Sequence, residues 1–161
     1  MGLFTSRTST PVVPLPVVQV PLDRIVICRA SGVTEAWVER SSTRLSDRLN
    51  RGAPIDIRMS LTGPAQPLAT DDVIALAVPL APTPSPNRMA RRRHILELTA
   101  GPYLLRGVVH MPAGADPARY LRATPQRWTA LTHATLLRPN QDDGDEFDVL
   151  LVNMEHVARP N

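Results

Sequence analysis

The segments RIVICRASG (residues 24–32) and RHILELTAG (residues 93–101) decide the fold of this 161-residue chain. Both are apolar–polar alternations that end in a glycine, which is typical of a β-strand leading into a tight turn. Four further pairs of segments match in the same order: residues 35–39 with 106–110, 45–50 with 117–122, 57–62 with 127–132, and 72–78 with 148–154. Five matches in one order indicate an internal duplication.

Each repeat reads as strand, turn, strand, one helical turn, strand, loop and strand. In the first helical turn, Leu45 and Leu49 lie four residues apart on one side, and Ser42 and Thr43 are its candidate N-caps. We expect this turn to plug one end of a barrel. A sheet this small and curved closes most readily on itself. The sequence therefore predicts an all-β chain of two tandem Sm/SH3-like small β-barrels, each with one short helical turn.

The prolines are frequent and mark the predicted domain boundaries. Seventeen prolines against eight glycines argue against long helices and for short strands and stiff connections. We predict an extended Pro-rich N-terminal arm over residues 1–22 and a Pro/Arg linker over residues 81–91. The first barrel then covers residues 23–80 and the second covers residues 92–158.

The N-terminal arm is the first candidate contact surface. Its prolines exclude a helix, yet seven valines and leucines between residues 11 and 22 are too many for a solvated tail. The arm therefore lies either on the chain's own barrels or across a partner, as an added strand or a polyproline strap. The candidate partner-binding residues are Pro11, Val12, Val13, Pro14, Leu15, Pro16, Val17 and Val18.

The second candidate surface is the arginine cluster of Arg88, Arg91, Arg92 and Arg93. These side chains suit phosphates, anionic lipid headgroups or an acidic protein face. The alternative is a solvated charge run that keeps the linker soluble. A net charge of +3 is too small to indicate a nucleic-acid-binding protein by itself.

No residue pattern predicts catalysis. His94, His110, His133 and His156 are not at metal-binding spacing, and the acidic loop 142–146 lacks the ligand spacing of a calcium loop. No nucleophile–base order and no phosphate-binding glycine loop is present. We therefore expect a protein that is not an enzyme and has no catalytic residue, cofactor, metal or small-molecule substrate.

The single cysteine and the apolar runs bear on location. Cys28 cannot form an internal disulfide, which fits a reducing compartment. The best apolar stretch, residues 73–81, is less than half the roughly 20 residues that span a membrane. We expect a cytoplasmic protein, peripheral to a membrane where its partner is membrane-bound.

Two features of the repeats resemble a known family. The segment Leu45–Asn50 after a hairpin, with Leu61-Thr62 and Leu131-Thr132 closing the third strands, resembles tandem Sm-like barrel domains of bacteria over residues 22–157. A duplicated chain of this size also resembles accessory cytoplasmic-face subunits of bacterial photosynthetic reaction-centre–light-harvesting complexes. That resemblance implies a non-catalytic subunit on the cytoplasmic face of the inner membrane. It would brace the reaction centre's cytoplasmic subunit against antenna helices and bind no pigment.

The alternative is an Sm-like RNA-binding or regulatory adaptor that uses Arg91 to Arg93 on phosphates. Such a protein needs exposed aromatic side chains on which bases stack. The chain has only six aromatic residues, and we expect Trp37, Trp128 and Phe147 to fill cores. The acidic loop 142–146 also opposes RNA. We therefore favour protein subunits of a larger, membrane-bound complex as partners, with contact to anionic lipid, over nucleic acid.

Overall fold

The computed structural model of the chain describes residues 20–80, 91–123 and 125–158. The elements are β1 (Leu22–Arg29), β2 (Gly32–Glu39), α1 (Leu45–Asn50), β3 (Asp56–Arg58), β4 (Gln66–Pro67), β5 (Val73–Val78), β6 (Arg91–Ala100), β7 (Tyr103–Pro112), α2 (Pro117–Ala123), β8 (Trp128–Leu137) and β9 (Asp145–Asn153). A 3₁₀ turn, Met154–His156, follows β9. The prediction of a mainly β chain is confirmed.

The nine strands form one antiparallel sheet in the order β4-β3-β2-β1-β5-β9-β8-β7-β6. We call β1–β5 with α1 the first unit, and β6–β9 with α2 the second unit. The two units are joined because β5 pairs with β1 along one edge and with β9 along the other. The sheet is therefore continuous and open, not divided into two separate closed barrels as the sequence predicted.

The strand β5 has no polar face. Its sequence VIALAV is buried at five of six positions. A strand covered on both faces loses the apolar–polar alternation, because neither side meets water. Leu76 lies in an apolar cluster formed mainly by the first unit, which we call the first-unit cluster. Ala75 and Ala77 lie in a cluster formed mainly by the second unit, which we call the second-unit cluster.

The same division applies to the neighbouring strands. On β1, Ile25 and Ile27 belong to the first-unit cluster and Cys28 belongs to the second-unit cluster. On β9, Leu151 lies in the first-unit cluster and Leu150 in the second. The central strands therefore supply both apolar cores from their opposite faces.

The helical turn α1 fastens the first unit to the second. Leu49 is buried and Leu45 packs on the same first-unit cluster, beside Trp128 from the start of β8. The Asn50 side chain completes the contact with two hydrogen bonds to the Trp128 backbone. Its Nδ2 donates to the Trp128 carbonyl at 2.9 Å, and its Oδ1 accepts from the Trp128 N–H at 2.8 Å.

Two details of the predicted repeat were wrong. Residue Arg44 occupies the N-cap of α1 with no side-chain cap hydrogen bond, so Ser42 and Thr43 do not cap it. The predicted strand over residues 57–62 ends at Arg58. Beyond that point a turn forms, in which the Gly63 N–H donates to the Ser60 carbonyl at 3.1 Å. The other four pairs of matched segments lie on β1 and β6, β2 and β7, α1 and α2, and β5 and β9.

Replacing Asn50 by Ala is expected to lower the free energy of unfolding by about 1–3 kcal/mol, since both Trp128 main-chain groups lose their partner. Urea denaturation followed by tryptophan fluorescence measures this loss. Asp47→Ala, an exposed change on the same helix, is the control. Equal losses in the two variants would contradict a fastening role for Asn50.

Candidate interaction surface

The buried polar side chains at the junction of the units bind main-chain atoms. Asn153 is 0% exposed, and its Nδ2 donates to the Val73 carbonyl at 3.0 Å. Its Oδ1 accepts from the Glu155 N–H at 3.2 Å. The Tyr103 hydroxyl donates to the Arg29 carbonyl at 2.6 Å. Because each contact satisfies a main-chain group, these side chains serve the fold.

An ion-pair cluster closes the same junction from outside. Arg127 lies 3.0 Å from Asp71 and 2.8 Å from Glu155, measured between guanidinium nitrogen and carboxylate oxygen. His156 Nε2 lies 2.9 Å from the Asp71 carbonyl oxygen. These contacts join the loop before β5 to the 3₁₀ turn after β9.

The other histidines are dispersed over the second unit. His94 is half-buried on β6, and His110 Nε2 lies 3.0 Å from Thr132 Oγ1. His133 is exposed in β8 with φ 48°, in a β-bulge opposite Gly107. A side chain at Gly107 would meet Leu131 Cβ at 2.9 Å, so glycine admits the bulge. Within the described ranges, no three His, Cys, Asp or Glu residues are grouped to hold a metal ion.

The bulge borders a shallow groove of about 380 Å³. Its lining consists of His133, Ala134, Thr135, Glu146, Phe147 and Asp148. The acidic loop at its end is partly neutralised, since Asp145 pairs with Arg138 at 2.6 Å. The loop joins β8 and β9, which pair antiparallel, so it is a hairpin loop.

The only cysteine is part of the second-unit cluster. Cys28 is fully buried, and this burial raises the pKa of its thiol to about 12. Burial also raises the pKa of the Tyr103 hydroxyl. A thiol is nucleophilic as the thiolate, so Cys28 is held in its unreactive form at neutral pH.

Six of the twelve described arginines outside β6 are paired with carboxylates, and all six lie in strands of the sheet or in the loops that join them. The pairs are Arg24–Glu35, Arg29–Asp72, Arg40–Asp23, Arg58–Glu39, Arg127–Asp71, Arg127–Glu155 and Arg138–Asp145. The arginines of β6 differ. Arg91, Arg92 and Arg93 are all exposed, and none is ion-paired with a carboxylate of the described chain.

The strand β6 that carries these arginines lies at the end of the sheet, with β7 on one side only. Among the described residues, its other edge is hydrogen-bonded only at its C-terminal end, where Ala100 bridges to Val157 and the Ala158 N–H donates to the Thr99 carbonyl at 2.8 Å. Ile95 lies in the middle of this strand and is 69% exposed. We call residues 91–98 the β6 edge.

The structure thus brings three of the predicted contact residues, Arg91 to Arg93, together on one edge. Arg88 and the predicted arm residues Pro11 to Val18 lie outside the described residues. Sequence reasoning missed Ile95 as a surface residue. The signal was the run RRRHILE at 91–97, in which the isoleucine shares the side of Arg91 and Arg93 in a two-residue period.

The fold and this edge define an antiparallel β protein with a cationic edge strand. No protein-family model, curated protein or solved structure matches the chain. Neither of the described helices has the length and apolar character needed to cross a membrane.

The raised pKa predicts slow thiol labelling. At pH 8 the native protein should react with a thiol-specific disulfide reagent at least about a hundredfold more slowly than the urea-unfolded protein, because burial removes both access and thiolate. With a single cysteine in the chain, absorbance of the released thiol reports Cys28 alone.

Burial of the Cys28 thiol also makes the free energy of unfolding depend on pH in the alkaline range. The thiol pKa is higher in the folded state, so the contribution of this group to the free energy of unfolding is complete below pH 9 and is lost as the pH rises toward about 12.

In the labelling experiment, rapid reaction of the native protein at pH 8 would contradict the buried placement of Cys28.

Proposed function

We propose that this chain is a non-catalytic assembly subunit that braces a larger complex through the β6 edge and the Pro-rich arm. The observation that carries the proposal is the contrast between paired and unpaired arginines. The arginines of β1 and β3 are paired with carboxylates, whereas Arg91, Arg92 and Arg93 form an exposed run beside Ile95 with no salt bridge to a described residue. Such a surface suits a partner that supplies carboxylates or phosphates and covers apolar surface.

The backbone geometry favours a polypeptide as that partner. Successive side chains of a strand point to opposite faces, so Arg92 lies on the other face from Arg91 and Arg93. A partner that engages all three arginines therefore lies alongside the edge. An acidic extended segment meets this requirement, since it can also hydrogen-bond to the open N–H and C=O groups of an edge strand.

We also propose that the two units are repeats of an Sm/SH3-like small barrel, fused through β5 and β9. The first unit supports this, because β5 returns beside β1 after β2, β3 and β4 follow one another in the sheet. In the second unit, residues 156–158 return to β6 after β9. In a small barrel the chain likewise returns to its first strand at the end of the domain.

The partner we propose is the cytoplasmic face of a membrane-bound photosynthetic reaction-centre–light-harvesting complex. This rests on the resemblance of the duplicated Sm-like chain, and the cationic edge suits acidic subunits or anionic lipid headgroups. The RNA-binding alternative has less support, since Trp128 is 1% exposed and Phe147 packs on the second-unit cluster. Trp128 therefore offers no open face on which a base could stack, and Phe147 lines the groove between Glu146 and Asp148, whose carboxylates repel phosphates.

Changing Arg91, Arg92 and Arg93 together to Gln should reduce recovery of the chain with its complex at least about tenfold, as exposed charge pairs add up across an edge. The measurement is sucrose-gradient fractionation of detergent-solubilised native extract, with the chain quantified by mass spectrometry.

The matched control changes Arg44, Arg48 and Arg51 to Gln, which removes the same charge from the first unit. Equal recovery of the two variants would remove the β6 edge from the proposal. Recovery of the wild-type chain only as a small species, or with RNA that ribonuclease releases, would overturn the assembly role.

Removing residues 1–19 tests the arm, because β1 begins at Leu22 and every described strand is retained. We expect the truncated chain to keep its far-ultraviolet circular dichroism and its urea midpoint while losing complex recovery. A lowered midpoint would show instead that the arm packs on the chain itself.

A further inference from the structure

We propose that the chain forms a two-fold symmetric dimer in which the β6 edge pairs antiparallel with the β6 edge of a second copy. Ile95 lies on the symmetry axis of this dimer. The proposal goes beyond the assembly role and does not depend on it. In the free chain a second copy occupies the main-chain groups that a partner segment occupies in the complex, so the two contacts exclude each other.

The orientation of the β6 backbone sets which groups are open to a second copy. The Thr99 carbonyl accepts from the Ala158 N–H, and the Gly101 N–H donates to the His156 carbonyl, so both groups point away from β7. In an antiparallel strand this orientation repeats at every second residue. The N–H and C=O groups of Arg93, Ile95 and Glu97 therefore point outward.

The side chains of the same three residues share one face of the sheet, because they too repeat every second residue. When Ile95 faces Ile95 of a second copy, Arg93 lies opposite Glu97 of that copy, and Glu97 opposite its Arg93. Opposite charges directly across an antiparallel pair are stabilising. No salt bridge joins Arg93 or Glu97 to a described residue, and Glu97, which is the register partner of Arg106 on β7, would lie between two arginines in the dimer.

The other symmetric registers are less favourable. The nearest one, centred on His94, pairs Arg91 with Glu97 but places Arg93 opposite Ile95. Centring the pair on Arg93 places two arginines opposite each other, and centring it on Glu97 places two carboxylates opposite each other. The register centred on Glu97 is also obstructed by Ala158, which already hydrogen-bonds to the Thr99 carbonyl on this edge. The register on Ile95 uses three pairs of outward-facing residues, with roughly six main-chain hydrogen bonds.

The two edge strands of the sheet differ in how well they are protected against pairing with another chain. The opposite edge strand, β4, has two residues and includes Pro67, which cannot donate to an added strand. The β6 edge is long, and Ile95 is 69% exposed at its centre. Long exposed edges with an apolar side chain pair with other strands unless they are protected. A second copy supplies both the hydrogen bonds and the complementary charges.

The test is sedimentation velocity of the purified full-length chain over a concentration series. An interface of one strand pair is small, so we expect a concentration-dependent equilibrium between monomer and dimer. Ile95→Lys should leave only monomer, since it places two like charges on the axis. Circular dichroism and the urea midpoint of that variant should match the wild type, because the side chain lies at the surface.

The charge swap defines the register. Arg93→Glu and Glu97→Arg should each raise the dimer dissociation constant roughly tenfold, because each creates two like-charge pairs across the axis. The double variant R93E/E97R should return to within about threefold of the wild type. Arg91→Glu is the control with the same charge change on the same strand, and it should have a smaller effect.

A wild-type chain that is monomeric at all concentrations would overturn the proposal, including a monomer in which the arm covers the edge. Persistence of the dimer in Ile95→Lys would place the interface elsewhere. Rescue by R91E/E97R in place of R93E/E97R would overturn the register. None of these results decides the fractionation experiment, which measures a different partner.

Discussion

The strand β5 holds this protein together because it is hydrogen-bonded on both edges and buried on both faces. Through β1 it is tied to the first unit, and through β9 to the second. Its alternate side chains enter two different apolar clusters. A change that removed β5 from either neighbour would expose both clusters, so the two units share one structural core strand and are not independent.

Polar residues reinforce this junction at three depths. Asn153 is buried between β5 and β9, Asn50 reaches from α1 to the backbone of Trp128, and Arg127 joins two carboxylates at the surface. Side chains that could perform chemistry elsewhere are used here to satisfy main-chain groups.

The distribution of charge separates the body of the protein from its edge. Ion pairs neutralise several arginines in the body of the sheet, such as Arg24 with Glu35 and Arg40 with Asp23. At the β6 edge no described carboxylate pairs with the arginines, and no described strand pairs with the outer side of residues 91–98. Charge, apolar surface and unpaired backbone groups therefore coincide on one strand, which is the arrangement that a protein partner can use.

The sequence by itself determined most of the strands and both helical turns, because these depend on local periodicity and on glycine and proline. The alternation before Gly32 and Gly101 was sufficient to predict β1 and β6. The early end of β3 at Arg58 was not predicted. It depends on a turn between Ser60 and Gly63, and the apolar residues in this segment favour a longer strand. Only the tertiary structure decided that β5 pairs with β9, since that pairing joins residues more than 70 positions apart. The same pairing left β6 at the end of the sheet, which turned three arginines and Ile95 from part of a strand into an exposed edge.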